Sequence, residues 1–457
     1  MIMTRFFTCL LFAAAMLTAG AYDYKVGDLC YDINEDGNTV SVAPEKSNGG
    51  YNSLSGVVTI PRMVLIENRP YTVTAIARNA FYYCKNITDV SVGDGVIKID
   101  SFAFEDCTGL KSVTFGRVLQ IIGFSSFSGC KSLTTLDIPE PVKEIQESAF
   151  ENCTSLTTIT LPSTLLTIGR SAFARCSKVT TINGGENVER MGRNAISYTK
   201  WYSNQPDGVV YFGKVAAGLR GDIPETLTFK EGIVSIAPCF VNNDILINVK
   251  FPSTLREIGE EAFAACRNLN NVTFPSSLQV IGSQAFDACM AFTEVVIPDN
   301  VTTLESNAFS RSSGITKLTI GKGVISIGSY AFTSCTGLQQ IYSYPDPDNV
   351  TMGRDVFYHG PSASCVLHVK NEYLGKYEVA DQWKNFMPNI VGDLTDQPSG
   401  EKGDVNGDGE VGIADVTQLV DLLVTNSENE RSDVNNDGET GIADLTMLVS
   451  IILSSSH

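Results

Sequence analysis

The sequence predicts a repeat solenoid of short parallel strands and helical turns, followed by a small all-α module. Three observations predict it. Phenylalanine returns every 23 residues, at Phe81, Phe104, Phe127, Phe150 and Phe173, and again from Phe240 through Phe263, Phe286 and Phe309 to Phe332. Two aliphatic columns keep step with it, one through Val113, Leu136, Ile159, Val249 and Val295, the other through Ile99, Ile122, Ile145, Ile168, Ile258 and Ile281. Near the C-terminus an Asp/Asn/Gly-rich loop and the apolar pattern after it are duplicated at a spacing of 29.

One unit, Ser155 to Cys176, shows why the pattern stacks. Thr157 to Leu161 alternates with period 2, Ile159 and Leu161 inward and Thr158 and Thr160 outward, which reads as a strand. Pro162 closes the strand, and Arg170 to Cys176 reads as a helical turn in which Ala172 is small enough to let neighbouring turns approach. No unit buries its own apolar face, but stacked units do, because the Ile159, Leu161, Ile168 and Phe173 columns then form one core. A period of this size, with one strand, a bend and a return segment, is that of a leucine-rich-repeat solenoid. With I-G-x-x-A-F-x-x-C at Ile168 to Cys176, the chain resembles the BspA-like family of bacterial leucine-rich repeats over roughly residues 60 to 360.

In chain order, residues 1–21 carry Arg5, the apolar run Phe6 to Leu17 and the small residues Ala19-Gly20-Ala21, the layout of a secretory signal peptide. The run is shorter than the roughly 20 residues of a spanning helix. No other run is apolar enough, so a secreted or cell-surface chain with no transmembrane segment in its mature form is expected. Residues 22–77 alternate apolar and polar residues and read as a strand-rich N-terminal cap, which covers the apolar face and open edge of the first turn. Residues 78–360 form the solenoid. Its register fails between Ile196 and Phe240, which lie 44 apart instead of 46. A hairpin insertion is expected there, near 198–222, carrying Trp201, Tyr202, Tyr211 and Phe212. These rings either pack the hairpin onto the solenoid or form a ligand-binding platform for a sugar ring or a protein partner. Residues 361–391 read as a C-terminal cap with Trp383 and Phe386 over the last turn, residues 392–402 as a linker, and residues 403–457 as the final module.

Cysteine usage and charge narrow the possibilities. Eight of the 12 cysteines, Cys153 and Cys176 among them, share one repeat position. In an exported chain they would suggest disulfides, but Ser312 holds that position in one turn, so buried free thiols are expected. The net charge is −18, and residues 401–457 hold 12 acidic and 2 basic residues. That balance argues against nucleic acid or an anionic membrane as partner.

Within the final module, Asp404, Asn406, Asp408, Glu410 and Asp415 occupy positions 1, 3, 5, 7 and 12 of a loop with Gly409 at position 6; Asp433, Asn435, Asp437, Glu439 and Asp444 repeat the layout with Gly438. Oxygen ligands at those positions suit a hard cation such as Ca²⁺, one per loop, with position 7 offering its backbone carbonyl. The duplicated loop and helix, ending in Asp, resemble a type I dockerin over residues 403–453. The resemblance implies two bound calcium ions and docking onto a cohesin-type scaffold domain. The pattern departs at position 9, where Gly412 and Gly441 offer no side-chain oxygen, and at the partner-binding positions 10 and 11, where Ile413-Ala414 and Ile442-Ala443 replace the usual hydroxylated pair.

Catalytic signatures are absent from the sequence. The three histidines, His359, His368 and His457, stand outside any triad or zinc-hydrolase motif, and no phosphate loop or dinucleotide fingerprint occurs. A polar sheet face without catalytic groups is a recognition surface, so a non-enzymatic, adhesin-like protein that binds extracellular protein or glycan is expected. An accessory subunit of an extracellular polysaccharide-degrading, cellulosome-like complex is the alternative, and an enzyme the third reading.

Overall fold

The computed structural model describes residues 21–51, 53–270, 272–361, 363–394, 403–406, 411–425, 431–435 and 440–454. Residues 1–20 of the expected signal peptide and most of the expected linker lie outside the described residues. The chain divides into two compact units, one reaching Pro206 and including Phe212–Lys214, the other holding Asp207–Tyr211 and everything from Val215.

In the first unit each turn of the solenoid lays down two short strands where the sequence suggested one. Thr158–Thr160 pairs in parallel with Thr135–Asp137 and Thr181–Asn183, and Thr167–Ile168 pairs in parallel with Glu144–Ile145 and Arg190–Met191. The second strand is only two residues long, too short for its alternation to register as a period. Gly169 follows it because the backbone passes very close to the turn before: a Cβ there would lie 2.6 Å from the Glu147 nitrogen.

The expected helical turns are not helices. Ser171 and Arg175 adopt left-handed φ of 53° and 61°, and successive N–H groups then point in alternate directions. Those of Ser171, Phe173 and Arg175 donate to the next turn of the solenoid, at Arg193, Ala195 and Ser197, whereas those of Ala172, Ala174 and Cys176 donate three residues back. A helix would send all of them four residues back along the chain. The segment is instead a stack of tight turns that forms a third inter-turn ladder, which satisfies backbone groups the helix reading left within one repeat.

The aromatic column fills the core. Phe81, Phe104, Phe127, Phe150 and Phe173 stack at centroid separations of 4.7 to 5.4 Å, and each is at most 1% exposed. Tyr51 begins the stack, 5.3 Å from Phe81, and its hydroxyl is held by the Ala43 carbonyl and the Cys30 N–H. Antiparallel strands Tyr24–Val26, Leu29–Ile33 and Thr39–Ala43 lead into the parallel pairing of Thr39–Ala43 with Arg69–Ile76. The first unit's strand edge is thus covered at its N-terminal end.

The second unit repeats the scheme from Phe240 to Phe332 and on to Phe357. Trp383 and Phe386 close on Phe357, each at 5.3 Å, with Trp383 1% exposed. The hairpin strands Gly208–Phe212 and Val215–Arg220 are not a free protrusion: Val215 and Ala216 pair in parallel with Ser235 and Ile236, opening an eight-stranded sheet. Helices Ile413–Thr425 and Ile442–Ser454 follow, packed around Val405, Leu419, Leu422, Val434 and Leu448.

Candidate functional site

Each C-terminal helix is built to end a loop. Ile413 and Ile442 are the first helical residues, so Asp415 and Asp444 fall in the first turn, where a carboxylate meets the free N–H groups and the positive end of the helix dipole. Asp415 Oδ2 accepts from the Gly412 N–H at 2.8 Å and Oδ1 from the Asn406 N–H at 3.0 Å. Asp444 repeats both bonds with Gly441 at 2.7 Å and Asn435 at 2.9 Å. Both carboxylates are fully buried. Position 12 therefore closes each loop onto positions 3 and 9, which explains why glycine suffices at position 9: its N–H is the group in use. Val405 and Val434, buried at position 2 of each loop, pin the loops to the small core.

Asp404 is 3% exposed and accepts from Arg431 Nη1 at 2.8 Å through Oδ2. Of the loop residues, Asp404, Asn406, Asp415, Asp433, Asn435 and Asp444 are described, whereas Asp408, Glu410, Asp437 and Glu439 lie outside the described residues. Among the described residues no group of three or more His, Cys, Asp or Glu is gathered as for a metal. The donor set itself is all oxygen and carries buried carboxylates at position 12 of both loops and at position 1 of the first, which fits calcium and suits softer metals poorly. Ile413 and Ile442 are 80% and 77% exposed, and Ala414 and Ala443 beside them are also exposed.

On the solenoid, the outward rows are polar and hydrogen-bonded between turns. Asp89 accepts from the Ser112 hydroxyl at 2.5 Å, and Glu294 pairs with Lys317 at 2.7 Å. Thr319 departs from the row: flanked in register by Val296 and Tyr342, it is 6% exposed. Tyr342 in turn stacks on His368 at 4.4 Å, and His368 Nδ1 lies 2.8 Å from Asp393. Sequence reasoning passed over this pair, although both residues stand in the outward column that Thr160 exemplifies. It also passed over Arg431, whose signal was a base two residues before the second loop in an acidic module.

The four hairpin aromatics do not form one cluster. Trp201, on the short helix Lys200–Ser203, meets Phe212 edge to face at 5.5 Å, and Phe212 is buried against Gly185, where a Cβ would lie 2.7 Å from its ring. Tyr202 is half-buried on the same helix. Tyr211 is engaged elsewhere, with the Lys230 ammonium 4.2 Å from its ring and the Lys230 N–H on its hydroxyl at 3.2 Å.

Comparison with known proteins follows the same division. Residues 74–202 and 235–363 match the BspA type leucine rich repeat region, in six copies, and residues 402–453 match the dockerin type I domain. The chain is similar to a solved leucine rich cell surface protein from Faecalibacterium prausnitzii A2-165, at 24% identity over 70% of this chain and 94% of that one, with a TM-score of 0.36. It is similar also to leucine-rich repeat proteins from Bacteroides ovatus ATCC 8483, at 21% identity over 72% and 99% of the two chains and a TM-score of 0.33, and from Bacteroides capillosus ATCC 29799, at 30% identity over 30% and 95% and a TM-score of 0.26. No curated protein matches. Both matched families are non-catalytic binding modules typical of extracellular or cell-surface proteins, and dockerin type I domains bind calcium and dock to cohesins. No helix among the described residues is long and apolar enough to cross a membrane. The chain belongs to the BspA type leucine-rich-repeat family and carries a dockerin type I domain at its C-terminal end.

Proposed function

We propose that this is an exported, non-catalytic recognition protein whose leucine-rich-repeat surface binds an extracellular protein or glycan, in the manner of an adhesin, while the dockerin attaches it to a cohesin. The observation that carries the reading is the duplicated closure of the two loops, where Asp415 and Asp444 make the same pair of backbone bonds at the start of two helices. Two calcium ions are assigned, one to Asp404, Asn406, Asp408, the Glu410 carbonyl and Asp415, the other to Asp433, Asn435, Asp437, the Glu439 carbonyl and Asp444. Exposed Ile413-Ala414 and Ile442-Ala443 are the partner-binding pairs, and the polar rows around Thr158 and Thr160 are the ligand face. The dockerin match favours a second role that is compatible with the first, as an accessory subunit of a polysaccharide-degrading complex.

The test is capture of a cohesin from the secreted and surface fraction by the full chain, with calcium and with chelator. Calcium-dependent capture that is lost in the Asp404→Ala, Asp433→Ala variant supports the attachment. Capture of the same protein in excess chelator would remove the dockerin role.

A further inference from the structure

We propose that Arg431 is a positioning residue for the first calcium loop and couples it to the second, an inference that rests on the calcium reading above. Asp404 occupies position 1 of the first loop, and its side chain is 2% exposed. A carboxylate so buried needs a fixed partner. That partner comes from the other repeat: Arg431 Nη1 donates to Asp404 Oδ2 at 2.8 Å from 27 residues away, two residues before Asp433, position 1 of the second loop. Groups that hydrogen-bond a ligating carboxylate set its orientation, and losing one typically weakens metal binding by about 10 to 100-fold.

Arg431 is itself held by the second loop. The next residue, Ser432, is fully buried, its hydroxyl 2.6 Å from that of Thr440, and the Asn435 N–H is tied to Asp444 Oδ1 at 2.9 Å. Ordering the second loop therefore places the guanidinium, and the guanidinium places Asp404. Coupling of this kind is reciprocal, so an ion at either loop strengthens binding at the other. The duplication repeats the device in sequence, since Lys402 stands two residues before Asp404 as Arg431 does before Asp433. A guanidinium also repels a nearby dication, so the sign of its effect on affinity separates a positioning group from a competing cation.

The experiment is calorimetric titration of the chelator-stripped full chain with calcium, with helicity at saturating calcium confirming that each variant folds. The unaltered chain should show two binding events. Asp433→Ala, which leaves the first loop, should weaken that loop several-fold. Arg431→Gln should weaken the first loop about tenfold or more, and adding Asp433→Ala to it should weaken the first loop no further. Arg431→Lys, which keeps the charge but not the planar fork, should recover part of the loss. First-loop affinity that is unchanged or tighter in Arg431→Gln overturns the proposal, as does an Asp433→Ala effect of equal size with and without Arg431. An unaltered chain that takes up no calcium removes the calcium reading itself, and this proposal with it.

Discussion

The Ser312 hydroxyl donates to the Phe286 carbonyl at 2.8 Å, and it stands where the neighbouring turn has Cys289, whose thiol donates to the Phe263 carbonyl at 3.3 Å. Cys107, Cys130, Cys153, Cys176, Cys266 and Cys335 make the same bond, each to the phenylalanine 26 residues earlier. All of these thiols are free. The column therefore selects a small buried donor, where the sequence had suggested only a buried free thiol. The Phe150 carbonyl also accepts from the Cys153 N–H at 3.3 Å, so Cys176→Ser should keep both of its bonds, whereas Cys176→Ala should leave it one and cost about 0.5 to 1.5 kcal/mol. Thermal melting that places the Ala variant at or above the Ser variant would reduce the thiol to a space-filler.

Alkaline pH should weaken the solenoid through the same thiols. Burial pushes Cys335 from 9.0 up to about 12 and Cys266 from 9.0 up to about 11. Below pH 9 both folded and unfolded thiols are protonated and the full stability is present. Above it the unfolded thiols ionise first, so stability falls as pH rises toward the folded values. Denaturant unfolding at stepped pH should show a flat region below about pH 9 and a decline above it. Thiol reagents should label these cysteines only after unfolding, and native labelling at pH 8 would contradict the burial.

Phe173 ends the aromatic stack of the first unit, 5.4 Å from Phe150 and 1% exposed. Phe173→Ala should cost about 3 to 5 kcal/mol, and Thr158→Ala, on the outward row, far less. Equal melting temperatures for the two variants would mean that the inward and outward faces have been exchanged.

The hairpin aromatics separate packing from binding. Buried Phe212→Ala should lower melting by the several kcal/mol of a lost core ring, about 3 to 5. Trp201→Ala with Tyr202→Ala should lower ligand binding more than stability, since both rings are only half-buried. A clear drop in melting temperature with unchanged glycan or protein affinity would assign these rings to packing alone.

Calcium removal should unfold helices Ile413–Thr425 and Ile442–Ser454 while the solenoid melts unchanged. The module's core is small, so ion binding should supply much of its folding free energy. Circular dichroism should show helix lost in chelator, restored by calcium and poorly restored by magnesium, which demands tighter octahedral geometry. Full helicity in excess chelator would oppose the calcium assignment.

The sequence by itself determined what depends on spacing. The Phe173 column, the inward Ile159 and Ile168, and the 29-residue duplication of Asp404 and Asp415 at Asp433 and Asp444 are periodicities, and burial of a regular stack follows period. Family membership was legible for the same reason. What only the tertiary structure decided is where polar groups find partners. Ser171 and Arg175 have side chains that fit a helix, yet their left-handed φ sends backbone bonds to the next turn of the solenoid. The thiol of Cys176 finds a carbonyl 26 residues back, and Arg431 reaches Asp404 in the other loop. A hydrogen bond is short-ranged and directional, so its partner is fixed by which atoms the stacked chain brings within about 3 Å. Apolar periodicity records that a side chain is buried but carries no information on that choice.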